Sequence, residues 1–135
     1  MRLPVVIHKD SDSDYGVTVP DLPGCFSAGS TLEEALENTE EAIECHVEAM
    51  LADGEVLPVP GSIEVYNKRV EFKGGIWALV TVDLSKLSGK AKRINITLPE
   101  HLLYQIDEYA SSHGESRSGM IAHAALEYIA TWSKE

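Results

Sequence analysis

Residues 92–99 have the sequence Lys-Arg-Ile-Asn-Ile-Thr-Leu-Pro, in which polar and apolar side chains alternate without interruption from residue 93 to residue 98. Successive side chains of a β-strand point to opposite faces, so this alternation predicts a strand with one apolar and one polar face. The apolar face consists of Ile94, Ile96 and Leu98, and the polar face of Arg93, Asn95 and Thr97. One face is therefore expected in a hydrophobic core, while the other carries only hydrogen-bonding groups.

Two helices are predicted after this strand. Pro99 suits the first turn of a helix, and His113-Gly114 is a typical helix end. Ser116 is a suitable N-cap for a second helix. The apolar stripe of the first helix comprises Leu102, Leu103, Ile106 and Ala110, and that of the second Ile121, Ala125, Tyr128 and Ile129.

A unit of one strand and two helices is too small to bury its apolar stripes, and a single strand leaves its backbone unpaired. We therefore expect it to pair with a second copy, strand against strand. A two-stranded ribbon fits the major groove of DNA, where Arg can recognise guanine, Asn adenine and Thr either base. The polar face thus favours DNA binding, and the alternative is a strand that serves only dimerisation.

The net charge of the chain is −11, from 22 acidic and 11 basic side chains among 135 residues. Residues 1–89 contain 6 basic and 16 acidic side chains, whereas residues 90–135 contain 5 and 6. Phosphate binding requires basic side chains, so the first part of the chain is a poor candidate for nucleic-acid binding. The composition also changes at a segment rich in Ser, Gly and Lys. We therefore predict a domain at 1–84, a linker at 85–92 and a second domain at 93–135.

The first domain is predicted to be a small α+β layer. The apolar segment 3–8 and the alternating segment 15–19 predict a hairpin around an acidic loop, and residues 25–28 predict a third strand. The apolar run 76–84 predicts a strand buried on both faces. Residues 62–70 are compatible with a strand or with a short helix, and a helix is favoured.

A long helix is predicted between a cap at Ser30 or Thr31 and an end at Gly54. Its apolar side comprises Leu32, Leu36, Ile43, Val47 and Met50. Its acidic side comprises Glu33, Glu34, Glu37, Glu40, Glu41, Glu44 and Glu48. This acidic side is either a solvated surface or a surface that attracts a basic partner.

No catalytic or metal-binding motif is found. Asp10, Asp12 and Asp14 imitate the start of a calcium loop, but Tyr15 occupies the position that requires glycine. Cys25 and Cys45 lack the spacing of a zinc site, which favours reduced thiols. No apolar run approaches the ~20 residues of a membrane span. We therefore expect a cytoplasmic protein that is not an enzyme, with no cofactor, no metal and no membrane association.

The second domain resembles the ribbon-helix-helix family of repressors, through residues 92–99 and through Glu115-Ser116-Arg117-Ser118-Gly119-Met120-Ile121. The resemblance implies DNA base contacts from Arg93, Asn95 and Thr97, and a dimer core of Ile94, Ile96 and Leu98. It also implies phosphate contacts at the amides of Ser116, Arg117 and Ser118, to which we add the side chains of Lys90 and Lys92. The assembly is expected to be a homodimer, or a tetramer or larger.

The first domain resembles the HicB antitoxin family. The resemblance rests on residues 14–25 (Asp-Tyr-Gly-Val-Thr-Val-Pro-Asp-Leu-Pro-Gly-Cys), 31–38 (Thr-Leu-Glu-Glu-Ala-Leu-Glu-Asn) and 76–83 (Ile-Trp-Ala-Leu-Val-Thr-Val-Asp). It implies a partial RNase H-like fold that masks HicA, a small basic toxin that cleaves mRNA. The candidate toxin-binding residues are Glu33, Glu37, Glu40, Glu41, Glu44 and Glu48.

The resulting hypothesis is an antitoxin that neutralises a HicA-type toxin and represses its own operon by binding operator DNA. Two alternatives remain open at the level of sequence. One is a ribbon-helix-helix repressor whose acidic domain senses a small ligand. The other is a metal-dependent nuclease that uses the carboxylates of the acidic loop.

Overall fold

The computed structural model describes residues 1–84 and 92–133. The chain divides into two units, Met1–Val82 and Asp83–Glu135. Most of the predicted linker, together with the candidate phosphate contact Lys90, lies outside the described residues. Among the described residues, none of the helices is long and apolar enough to cross a bilayer.

The first unit contains one antiparallel sheet of four strands. Its strands are β1 (Arg2–His8), β2 (Tyr15–Thr18), β3 (Phe26–Gly29) and β4 (Ile76–Thr81), in the spatial order β3-β2-β1-β4. The predicted hairpin of β1 and β2 is confirmed, with Val6 opposite Thr18. β4 returns to the other side of β1, where Val5 lies opposite Ala78. The α+β prediction for this unit is therefore confirmed.

β1, and not β4, is the strand that is buried on both faces. Residues 3–7 of β1 are all buried. In β4, by contrast, Ile76 is 60% exposed and Leu79 is 55% exposed. The prediction of a doubly buried β4 is wrong because an apolar run does not determine a strand's place in the sheet, and β4 lies at an edge.

Helix α1 (Leu32–Ala52) packs on β3 and begins as predicted, since the Thr31 hydroxyl accepts a hydrogen bond from the Glu34 amide at 3.1 Å. Its predicted apolar side is only partly correct. The buried residues are Ala35, Thr39, Ile43 and Val47, whereas Leu32, Leu36 and Met50 are only half-buried.

The reason for this difference is a close approach between α1 and β3. A Cβ atom on Gly29 would lie 2.4 Å from the amide nitrogen of Ala35. Small residues are needed where backbones approach this closely. Thr39 also fits because its hydroxyl donates a hydrogen bond to the Ala35 carbonyl oxygen at 2.6 Å. A pattern of large apolar side chains does not reveal such a contact.

Helix α2 (Ile63–Tyr66) confirms the preference for a helix after Ser62, although it is a single turn. A 3-10 turn (Val70–Phe72) follows. Phe72 is buried and makes edge-to-face contacts with the rings of Tyr66 and Trp77. This aromatic cluster anchors α2 and the following turn beside β4.

The second unit contains α3 (Glu100–Ser112) and α4 (Arg117–Trp132). Pro99 precedes α3 as its N-cap instead of lying within the first turn. Residues 92–98 form no strand in the single chain, and Ile94 and Ile96 are 68% and 56% exposed. A strand needs a partner for its backbone hydrogen bonds, and none of the described residues supplies one here.

The predicted apolar stripe of α4 is not buried in the single chain. Tyr128 is 68% exposed and Ile129 is exposed as well, while the buried residues of α4 are Gly119 and Ala130. Ile121 is half-buried and Ala125 is exposed. The physical reason is that two helices bury only the strip along which they touch, so an apolar stripe that extends beyond this contact stays in solvent.

Candidate functional site

The acidic face of α1 is the most strongly charged surface of the first unit. The 21 residues of α1 include seven glutamates and neither Lys nor Arg. Of the candidate toxin-binding residues, Glu33, Glu37, Glu40 and Glu41 are exposed, whereas Glu44 and Glu48 are half-buried. Glu34 has a separate role at the helix start, where its carboxylate accepts a hydrogen bond from the Ser30 hydroxyl at 2.7 Å. The structure therefore presents four of the six candidates to solvent.

These glutamates raise the energy of α1 in isolation, because like charges four residues apart on a helix repel one another by a few tenths of a kcal/mol per pair. Glu33 with Glu37, and Glu37 with Glu41, are such pairs. A basic partner would reduce this repulsion on binding. Clustered charge of one sign also accelerates the encounter with a partner of the opposite sign.

A second surface of the first unit was not predicted from the sequence. The edge strand β4 exposes Ile76 and Leu79, and Val65 and Val70 in the preceding segment are also exposed. Exposed apolar side chains on an edge strand are typical of contact surfaces. The apolar run was visible in the sequence, but its position at the edge was not.

Asp21 is a buried carboxylate that the sequence showed only as one residue of segment 14–25, with no sign of its burial. Its Oδ1 accepts hydrogen bonds from the Gly61 amide at 2.9 Å and from the Tyr66 hydroxyl at 2.5 Å. Its Oδ2 is buried without a hydrogen-bond partner among the described residues. Burial, followed by the hydrogen bond to Asp21, raises the pKa of Tyr66 to about 12. This cluster ties the turn before β3 to α2.

The acidic loop between β1 and β2 is held by its own hydrogen bonds. The Asp10 amide donates to the Ser13 hydroxyl at 2.9 Å, and the Lys9 ammonium donates to the Ser13 carbonyl oxygen at 3.0 Å. Asp10, Asp12 and Asp14 are exposed. Within residues 1–84 and 92–133, no group of three or more His, Cys, Asp or Glu side chains is arranged to hold a metal ion.

The candidate DNA-binding residues of segment 92–98 are accessible in the single chain. Lys92, Arg93, Asn95 and Thr97 are all exposed, whereas Leu98 of the candidate dimer core is half-buried. The segment thus displays its polar side chains together with two exposed isoleucines. Because the segment is unpaired in the single chain, the structure does not bring these side chains into one fixed face.

The start of α4 is built as the sequence predicts, but the side chain of Arg117 is already occupied. The Ser116 hydroxyl accepts a hydrogen bond from the Gly119 amide at 2.9 Å and so caps the helix. The Arg117 guanidinium makes two hydrogen bonds of 2.8 Å to the Asp107 carboxylate of α3. This pair lowers the pKa of Asp107 and raises that of Arg117. Ser116, Arg117 and Ser118 are exposed.

The fold and these surfaces together define a two-unit α+β protein whose candidate sites are exposed binding surfaces. A family model described as "HicB_like antitoxin of bacterial toxin-antitoxin system" matches residues 3–125. The chain belongs to this family of HicB-like antitoxins.

Three relatives illustrate the similarity. An uncharacterised 14.9 kDa protein from the rep-hol intergenic region of Haemophilus phage HP1 is 48% identical over 131 residues, which is 96% of this chain and 98% of the relative. The crystal structure of the Burkholderia pseudomallei antitoxin HicB is 46% identical with a TM-score of 0.79, covering 96% of this chain and 98% of that one. A chain of the HicA3 and HicB3 toxin-antitoxin complex is 35% identical with a TM-score of 0.52. The match covers 62% of this chain and 99% of that one.

Proposed function

We propose that this protein is an antitoxin that binds and neutralises a HicA-type toxin through its first unit and represses its own operon through its second. The observation that carries the proposal is the acidic face of α1 in a member of the HicB-like family. A related chain occurs in a complex of HicA3 with HicB3. In this proposal the first unit is a reduced RNase H-like domain that acts by binding.

The toxin is proposed to meet the exposed glutamates of α1. A small basic, mRNA-cleaving protein presents the positive charge that would offset the repulsion among Glu33, Glu37 and Glu41. Much of this attraction acts during the encounter, so it is expected to depend on ionic strength. The face would therefore govern the association rate more than the dissociation rate.

A triple substitution tests this surface directly. We expect Glu33→Gln, Glu37→Gln and Glu41→Gln together to lower the association rate with the toxin by roughly tenfold and to weaken its salt dependence. The matched control carries the same Glu→Gln substitution at three exposed glutamates outside α1, namely Glu55, Glu64 and Glu71. Stopped-flow association with the purified toxin, combined with a growth-rescue assay, gives the comparison. Equal association rates for the two triple variants would contradict the assignment of the toxin site to α1.

DNA binding is proposed to require a second copy of the chain. Pairing of residues 92–98 with the same segment of another copy would satisfy their backbone hydrogen bonds and bury Ile94 and Ile96. The polar side chains Arg93, Asn95 and Thr97 of both copies would then form one face for the major groove. The backbone amides of Ser116, Arg117 and Ser118, at the start of α4, would contact phosphate.

Two substitutions separate base recognition from phosphate attraction. We expect Asn95→Ala to reduce the discrimination between operator and unrelated DNA by ~1–3 kcal/mol. Lys92→Gln should instead weaken binding to all sequences alike and flatten the dependence of affinity on salt. Both are measured by fluorescence anisotropy at several salt concentrations. An unchanged operator preference in the Asn95→Ala variant would show that this face does not recognise bases.

A further inference from the structure

The two edges of the four-stranded sheet differ in how their backbone groups are used. At the β3 edge, the Ala28 carbonyl oxygen accepts a hydrogen bond from the Asn38 side-chain amide of α1 at 2.8 Å. β4 forms the other edge, and no strand formed by the described residues pairs with it on the side away from β1. The β3 edge is therefore partly closed by α1, whereas the β4 edge is open.

The hydrogen bonds at the end of β4 show which of its residues direct their backbone groups outward. The Val82 amide donates to the Met1 carbonyl oxygen at 2.7 Å, and the Met1 amino group donates to the Val82 carbonyl oxygen at 2.8 Å. In an antiparallel pair, residues bonded to each other in this way alternate with residues whose backbone groups point away. Counting back from Val82, the residues that direct their amide and carbonyl groups to the free edge are Thr81, Leu79 and Trp77.

β4 carries none of the features that usually protect an edge strand. Lysine, proline, a bulge or a very short strand are the common means of protection. β4 has six residues, and its register with β1 continues without a bulge from Ile76 to Thr81. Its sequence, Ile-Trp-Ala-Leu-Val-Thr, contains no charged residue. An open edge of this kind is a template for another strand.

Exposed apolar side chains lie on both faces of the sheet beside this edge. Ile76 is 60% exposed and Leu79 is 55% exposed. Successive side chains of a strand alternate between the two faces, so these two side chains lie on opposite faces. A further strand would cover part of both, because side chains of neighbouring strands contact each other across the ladder.

The charge distribution favours a second copy of the chain at this edge. Residues 1–89 contain 16 acidic and 6 basic side chains, so the first unit as a whole repels another copy of itself. Residues 76–82 contain no charged side chain, so two copies can meet here without like charges opposite each other. A basic partner gains no attraction from this strip, whereas α1 offers it seven glutamates.

We propose that two copies of the chain pair through β4, antiparallel about a two-fold axis at Leu79. This register pairs all three outward-directed residues, with Leu79 opposite Leu79 of the second copy, and Trp77 opposite Thr81 on each side of the axis. Each of these pairs exchanges two backbone hydrogen bonds. The two sheets then form one continuous sheet with the order β3-β2-β1-β4-β4-β1-β2-β3.

The pairing through β4 involves the first unit alone and needs neither toxin nor DNA. It is separate from the pairing proposed for residues 92–98 of the second unit. A two-fold interface is self-complementary and by itself joins only two chains. Where the two pairings join a chain to different partners, dimers assemble into a tetramer or a larger complex.

Cysteine crosslinking of the full-length protein tests the register. All variants carry Cys45→Ser, because Cys45 is exposed whereas Cys25 is buried. At the two-fold axis, the two Cα atoms of a Leu79→Cys variant would lie about 5.5 Å apart, a separation that suits a disulfide. Ile76→Cys is the matched control on the same strand, because Ile76 is similarly exposed but would lie about 20 Å from its copy. With copper phenanthroline as the oxidant, we expect Leu79→Cys to form a covalent dimer about tenfold faster than Ile76→Cys.

Charge substitutions at the axis supply a second test by sedimentation velocity. Every variant here carries Ile96→Lys, which disfavours the pairing of residues 92–98. Leu79→Lys and Leu79→Glu each place like charges opposite each other, so each should weaken self-association about tenfold, and an equimolar mixture of the two should restore it. Phe26→Lys is the control, since Phe26 is 66% exposed on the opposite edge strand.

Three outcomes would overturn the proposal. One is equal crosslinking of the Leu79→Cys and Ile76→Cys variants. Another is a mixture of the Leu79→Lys and Leu79→Glu variants that associates no more strongly than either variant alone. The third is a Leu79→Lys variant that keeps its self-association but no longer binds a HicA-type toxin, which would assign the edge to the toxin.

Discussion

The hydrogen bond from Tyr66 to the buried Asp21 is expected to stabilise the first unit by an amount that depends on pH. Phe in place of Tyr66 keeps the ring contacts with Phe72 and Trp77 but removes the hydroxyl that lies 2.5 Å from Asp21 Oδ1. Only the Gly61 amide would then donate to this oxygen among the described contacts. A hydrogen bond to a charged group contributes about 1.5–3 kcal/mol.

The raised pKa of Tyr66 sets an upper limit on the contribution of this hydrogen bond, because burial is the largest cause of the rise and the hydrogen bond to Asp21 is the second. A rise from 10 to about 12 corresponds in full to nearly 3 kcal/mol, and solvent screening of this half-buried side chain reduces the contribution to about 1–2 kcal/mol. Because the folded-state pKa is raised, the contribution is fully present below pH 10. It is lost as the pH rises from 10 through about 12.

The assay is urea unfolding followed by the fluorescence of Trp77, in a Trp132→Phe background that leaves one tryptophan. We expect Tyr66→Phe to lower the free energy of unfolding by about 1–2 kcal/mol between pH 7 and 9. The difference should fall to roughly half near pH 11. Tyr104→Phe is the matched control, since Tyr104 is exposed. A Tyr66→Phe variant as stable as its parent at pH 7 would refute the reasoning, as would a difference that does not change with pH.

Two further predictions concern the packing of α1 and of the helix pair. Gly29→Ala should lower the free energy of unfolding by about 3 kcal/mol or prevent folding, because the new Cβ would lie 2.4 Å from the backbone of Ala35. Gly16→Ala, whose new Cβ would meet its nearest neighbour at 3.8 Å, is the control in the same urea experiment. Asp107→Asn should lower the melting temperature of the second unit slightly at neutral pH and low salt by removing the pair with Arg117. Because the pKa of Asp107 is lowered from its usual 3.8, that difference should disappear as the pH falls below this value, and equal melting temperatures at pH 7 would contradict the prediction.

Local signals in the sequence were sufficient for most of the secondary structure. The hairpin of β1 and β2, the cap of α1 at Thr31 and the cap of α4 at Ser116 follow from alternation and from side chains that bond to backbone amides nearby in the chain. The two caps each join residues three positions apart, and the hairpin joins neighbouring segments, so the sequence displays both partners. The acidic side of α1 was predictable for the same reason.

Contacts between distant segments could not be predicted in this way. The exposure of β4 depends on the strand order, and the burial of Ala35 depends on how closely α1 approaches Gly29. The pairing of Asp21 with Tyr66 joins residues 45 positions apart, and no local pattern marks it. The ion pair between the side chains of Arg117 and Asp107 joins two helices and is likewise not marked by any local pattern.

The sequence by itself determined that the protein is α+β, that Ser116 caps α4, and that its negative charge is concentrated before residue 90. These properties follow from residue composition and short-range spacing. Only the tertiary structure decided which apolar residues are buried, because burial depends on what packs against each face. The alternating segment 92–98 shows most clearly what a sequence pattern leaves undecided. Its pattern is that of a strand, but a strand needs a second strand for its backbone hydrogen bonds. In the single chain the segment has no such partner among the described residues, and residues 92–97 stay exposed.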